Sequence, residues 1–73
     1  SNQGPYFDGF REKYRLSKRE AQILKLISEG MPNKEIADAL SLSVQTIETH
    51  RKNINQKLQV SSIMDLINKV HEM

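Results

Sequence analysis

The sequence contains no cysteine, so neither a disulfide framework nor a thiolate metal site is open to it, a composition that fits a reducing compartment. Nowhere does it approach the run of about 18 apolar residues that a membrane span needs, and no apolar stretch follows its first residues. We therefore expect a soluble domain with no membrane contact and no secretory signal. Catalytic patterns are missing as well. There is no nucleophile beside an oriented base, no glycine-rich phosphate loop and no pair of carboxylates between apolar walls. No enzyme activity and no cofactor are expected. The two histidines, His50 and His71, have no spaced Cys or acidic partner, so a metal site is not expected either. Charge of one sign is scarce too: the chain is only +2, enough to tolerate a polyanion but far from a polybasic tail.

What is present is helical periodicity. With 73 residues, 37% apolar and 27% charged, the chain is one domain near the size at which a single core is only just sufficient. Ile36, Ala37 and Leu40 make a short helix with one buried stripe. Ser41-Leu42-Ser43 follows, Ser43 being a good N-cap, and then Ile47, Ile54 and Leu58 recur at seven and four residues with Arg51 burying its stem between them. Advancing about 100° per residue from Ile47 places Arg51, Ile54 and Leu58 within about 40° of it and Gln45, Thr49, Lys52 and Gln56 near the opposite side. Glu48, Asn53 and Thr46 flank that outer face. Such a face is polar, mostly uncharged and able to donate and accept hydrogen bonds in fixed directions, which suits reading base edges in a major groove. A short helix, a three-residue turn and a longer helix make a helix-turn-helix; the alternative on periodicity alone is a small bundle whose second helix merely faces water.

Four ordered blocks add a resemblance. Leu16-Ser17-Lys18-Arg19-Glu20, Gly30-Met31-Pro32-Asn33-Lys34-Glu35-Ile36-Ala37, Val44-Gln45-Thr46-Ile47-Glu48-Thr49-His50 and Lys57-Leu58-Gln59-Val60 resemble the signature segments of the LuxR/GerE family of bacterial DNA-binding domains over roughly residues 16–72. The resemblance implies an all-α fold, a four-helix helix-turn-helix bundle. It also implies sequence-specific binding of double-stranded DNA as the cytoplasmic output domain of a bacterial transcriptional regulator. A receiver or sensor domain would lie upstream, with RNA polymerase a further candidate partner. Two other readings are a sigma-factor-like helix-turn-helix, which the four blocks argue against, and a protein-interaction module on the same fold, which Glu48 and the low net charge favour.

The same resemblance assigns sites. Base-edge contacts fall at Glu48, Thr49 and Lys52, and Gln45 joins them from the polar face. Phosphate contacts fall at Lys34, Ser43 and Thr46, with Asn53 and Gln56 on the flanks; for Lys34 the alternative is a solvated lysine. Lys52 can donate to guanine and the Thr49 methyl can touch a thymine methyl, whereas Glu48 either accepts from cytosine N4 or lowers affinity. Over 43–58, three cations (Arg51, Lys52, Lys57) stand against Glu48, a net +2 equal to that of the whole chain. His50 is expected to be half covered, in a packing role. In the last helix Met64, Asn68 and His71 form a second stripe, read as a homodimer seam on DNA, the alternative being a solvated flank.

The remaining segments complete the expected layout. Residues 1–15 are read as a cloning scar (Ser1-Asn2, with no initiator Met, on a fragment of a longer protein), a linker, and a short helix over about 8–14 that lays Phe7, Phe10 and Tyr14 on the core. The alternative for those rings is a base-stacking platform. Residues 16–73 are read as the helix-turn-helix domain, with helices over about 18–29, 33–40, 44–58 and 62–72. Ser17 and Glu20 have the spacing of a capping box, with Leu16 and Ala21 placed as its hydrophobic staple, and Gly30 can take the left-handed conformation after the helix. Pro32 stands where the family usually has Ser or Thr, and Asn33 is the candidate N-cap in its place. Gln59 stands where the family usually has Gly: either it is left-handed at a cost of about 1 kcal/mol or the corner is reshaped. Ser61 or Ser62 caps the last helix, which is expected to bury Ile63, Leu66, Ile67 and Val70.

Overall fold

In the computed structural model, residues 4–71 are described, with side chains from residue 9 onward. They form five helices and no strand: α1 (Gly4–Tyr14), α2 (Lys18–Ser28), α3 (Asn33–Leu40), α4 (Val44–Leu58) and α5 (Ile63–His71). The fold is therefore all-helical, with α1 in addition to the four that the family resemblance implies.

Helix starts are set by short polar residues. Ser17 heads α2 with a complete capping box: its Oγ accepts from the Glu20 N–H at 3.0 Å and Glu20 Oε1 accepts from the Ser17 N–H at 2.8 Å. Leu16 and Ala21, the residues of the staple, are both buried. Ser43 heads α4, accepting from the Thr46 N–H, and Ser62, rather than Ser61, heads α5, accepting from the Asp65 N–H. Asn33 does not act as N-cap for α3. Pro32 holds that position in extended backbone, with no side-chain bond, and Asn33 is the first helical residue.

The ends of α1 to α4 share one device. A left-handed residue (Arg15, Gly30, Ser41 or Gln59) follows each helix, and the next residue, Leu16, Met31, Leu42 or Val60, donates its N–H back to Arg11, Leu26, Ala37 or Asn55. Every one of those following residues is apolar and packs into or against the core. The corner at Gln59 keeps the left-handed backbone at φ 57° and ψ 46°, so the missing glycine is met by strain and not by reshaping.

The core is drawn from all five helices, with Ile23, Leu24, Ile36, Ile47, Ile54, Leu58 and Leu66 essentially inaccessible to solvent. α4 lies at its centre, packed on α2, α3 and α5. Phe10 is buried and stacks at a tilt on the half-buried Tyr14, with ring centroids 4.8 Å apart, so this pair serves packing and offers no open platform for bases. Phe7 lies outside the described side chains. In α5, Leu66 and Val70 face the core and Ile67 is half-buried, but Ile63 is exposed. Side chains in a helix lean toward its N-terminus, so the first residue of α5 leans past the packed face. Among the described residues no helix is long and apolar enough to cross a membrane.

Candidate nucleic-acid interface

The corner between α3 and α4 takes three residues. Ser41 turns left-handed, Leu42 inserts against the core and donates to the Ala37 carbonyl, and Ser43 starts the next helix. This fixes the direction of α4 relative to α3 within a very short span. A second tie crosses the corner: Arg51 Nη1 donates to Asn33 Oδ1 at 2.8 Å, joining the middle of α4 to the first residue of α3. Burial lowers the pKa of the Arg51 guanidinium, which stays charged at any physiological pH.

With its inner stripe of Ile47, Ile54 and Leu58 anchored, α4 turns Gln45, Glu48, Thr49, Lys52, Asn53 and Gln56 to solvent. Among the described residues Gln45, Glu48, Lys52, Asn53 and Gln56 have no side-chain hydrogen bond or ion pair. Three hydroxyls are engaged locally. Ser43 Oγ lies 2.8 Å from Thr46 Oγ1, and the Thr49 hydroxyl donates to the Gln45 carbonyl at 3.1 Å. Thr49 thus spends its donor on its own helix, which leaves its methyl and an acceptor lone pair for an outside partner. His50 is half-buried, and Lys34, on the first turn of α3, is exposed and has no acidic partner among the described residues.

The structure alters the charge count. Of the three cations in 43–58, Arg51 turns inward to Asn33. Lys57 donates to Glu20 Oε1 at 2.6 Å and to the Arg15 carbonyl at 3.1 Å. Only Lys52 is left on the outer face, beside the unpaired Glu48, so that face is close to neutral. Sequence reasoning missed the parts played by Lys57 and by Glu20 beyond its cap. Glu20 is the one buried charged residue among those described, and it connects the start of α2 to the end of α4. Burial alone would raise its pKa. The bonds from Lys57 and from Ser17 more than offset this and hold the carboxyl below its ordinary value.

Met64, Asn68 and His71 are all exposed on α5, Met64 at 61%, with the exposed Ile63 beside them. Between this stripe and the end of α4 lies an open, largely polar groove lined by Gln59, Val60, Ser61, Asp65, Asn68 and Lys69. Among the described residues no group of three or more His, Asp or Glu side chains gathers as a metal site would require.

A short helix, a left-handed three-residue corner and a longer helix with an open polar face define the class: a helix-turn-helix domain. Comparison with known proteins specifies it. The family described as "Bacterial regulatory proteins, luxR family" matches residues 14–70. The chain belongs to that family, and is a DNA-binding output domain of a transcription regulator. It is 56% identical over 52 residues to the uncharacterized response regulatory protein YgeK of Escherichia coli K12, covering 71% of this chain and 35% of that protein. It is 45% identical over 64 residues to the response regulator protein TodT of Pseudomonas putida, covering 86% of this chain and 28% of TodT. With the oxygen regulatory protein NreC of Staphylococcus carnosus it shares 52% identity over 52 residues, 71% of this chain and 24% of NreC. The chain thus spans about a third or less of the length of these relatives. No solved structure matches it.

Proposed function

We propose that α4 enters the major groove and reads sequence there, and that the domain acts as a dimer through α5 at the output end of a two-component response regulator. The observation that carries this reading is the outer face of α4. Its inner side is immobilised on a core with no measurable exposure, and its outer side holds the directional donors and acceptors of Gln45, Glu48, Lys52, Asn53 and Gln56, which have no side-chain partner among the described residues. In this reading Lys52 donates to guanine O6 or N7, Gln45 bonds to a neighbouring base edge, the Thr49 methyl meets a thymine methyl, and Glu48 accepts from cytosine N4. Lys34, Ser43, Thr46, Asn53 and Gln56 meet the backbone on either side. Because Ser43 and Thr46 are already bonded to one another, they approach a phosphate as one preset unit.

Dimerisation through Met64, Asn68 and His71 would present two copies of α4 and so two half-sites related by two-fold symmetry. An upstream receiver domain, RNA polymerase as a downstream contact and a bacterial cytoplasmic setting complete the proposal. The receiver domain is supported by the relatives, whose names describe response regulators.

The test is selection from randomised duplexes at about 50 and 200 mM salt, repeated with K52A and K34A. The expected outcome is an inverted-repeat motif whose retention falls with salt. K52A should lose about 1–3 kcal/mol on the preferred site and relax one base position, while K34A should weaken all sequences alike. Equal loss on every sequence for K52A would remove it as a reader. The near-neutral face and the unpaired Glu48 are what favour the second reading, a protein-interaction module. That reading predicts no retained duplex even at low salt.

A further inference from the structure

The strongest positive charge in this chain is not on the recognition helix. Between residues 11 and 19 five cations, Arg11, Lys13, Arg15, Lys18 and Arg19, stand against one acid, Glu12, a net +4 where the whole chain carries +2. Two of the five have work inside the domain. Arg11 donates to the Leu16 carbonyl, and the Lys13 ammonium sits over the Tyr14 ring, 5.3 Å from its centroid. Arg15, Lys18 and Arg19 remain, all exposed and without an acidic partner among the described residues; Arg19 touches only the neutral amide of Gln22. Helix stability does not explain them, because Lys18 and Arg19 lie in the first turn of α2, where the helix dipole disfavours cations.

The position of this corner names its partner. Lys57, in the last turn of α4, donates to the Arg15 carbonyl and to Glu20, so the basic corner is fixed at the C-terminal end of the recognition helix. Ser43 and Thr46 are at its other end. A helix of 15 residues is about 22 Å long, and the major groove is about 12 Å wide, so a helix of this length laid in the groove brings its two ends near the two opposing backbones. Resting on the reading of α4 given above, we propose that Arg15, Lys18 and Arg19 form a second phosphate-contact site. It would grip the DNA backbone on the side of the groove opposite to that held by Ser43 and Thr46. The site is sequence-independent and supplies the positive charge that the near-neutral face of α4 lacks.

The test uses the whole 73-residue chain and two variants, K18A/R19A and K18E/R19E. Binding to a mixed-sequence duplex of about 30 base pairs is followed by anisotropy across salt, and the preferred motif is selected from randomised duplexes. Each phosphate contact contributes about 0.9 to the slope of log affinity against log salt, so K18A/R19A should flatten the slope by nearly 2 for each protomer bound. The gap from wild type should then narrow by about tenfold per bound protomer between 50 and 200 mM salt, with the selected motif unchanged. K18E/R19E should bind more weakly still, although acids in the first turn favour the helix, which separates lost contact from lost folding. An unchanged slope in both variants, with wild type binding well, would overturn the second site and leave the role of α4 standing. A wild type that binds no duplex would overturn both. A shifted motif with an unchanged slope would mean that the corner acts by reorienting α4, and would also overturn the proposal.

Discussion

The starts of α2 and α3 have almost the same backbone and opposite chemistry. Ser17 sits at φ −69°, ψ 166° and Pro32 at φ −72°, ψ 162°. At Ser17 the side chains within four residues satisfy the helix end in both directions. At Pro32 no side chain does so. There the first residue of the helix, Asn33, is held instead by Arg51, 18 residues further on. One helix start is stabilised by its neighbours in sequence and the other by its neighbour in space. This teaches that a missing cap need not mean a frayed helix: a contact across the corner holds that end and also fixes α3 to α4.

Perturbing the two ends separately tests the contrast, and Glu20 should give the largest effect. E20A removes half of the capping box and leaves Lys57 with only the Arg15 carbonyl as partner, so we expect a loss of about 2–3 kcal/mol in urea denaturation, the exposed lysine end contributing the smaller part. The effect depends on pH. The folded pKa of Glu20 is depressed below the ordinary 4.5, so its contribution is complete above that value and is lost as pH falls through the folded one. Wild type should weaken below about pH 4.5 more steeply than E20Q. Parallel curves for the two proteins would show that the carboxylate is not the tie.

R51A comes next, at about 1–2 kcal/mol, through lost stem packing and the lost bond to Asn33. Amide exchange should show the loss in α3. S17A should cost about 1 kcal/mol and loosen the first turn of α2 instead. If R51A left the protection of α3 amides unchanged, the contrast between the two helix starts would fail.

Two substitutions should do little harm. Q59G relieves a left-handed residue and should raise stability by up to about 1 kcal/mol, offset in part by the extra freedom glycine brings to the unfolded chain. P32S supplies a hydroxyl cap in backbone that already has the right shape, but it also gives up the rigidity of proline in the unfolded chain. A net change within about 0.5 kcal/mol is expected in thermal denaturation. A gain well above that would show that Arg51 does not replace the missing cap.

Much of this was readable in advance because it is local. The capping box needs only Ser17 and Glu20 three residues apart, and the polar side of α4 needs only the helical repeat. The left-handed turns at Arg15 and Ser41 were harder to read, since neither residue is glycine. Ile63 had the right spacing for burial but lies at the edge of the packed face. Over 43–58 the helical repeat put the Arg51 stem on the inner stripe, but neither its partner Asn33 nor the direction of Lys57 could be read. Arg51 and Lys57 are turned away from the outer face by partners 18 and 37 residues distant.

By itself the sequence determined the helical segments, the short corner between α3 and α4 and the residue types offered on the outer face, because propensity, capping and periodicity act within a few residues. Only the tertiary structure decided which cations remain free. Lys57 and Arg51 are drawn into the fold by groups that approach only when the helices pack, leaving Lys52 on α4 and the cluster at Arg15, Lys18 and Arg19 exposed and without an acidic partner among the described residues.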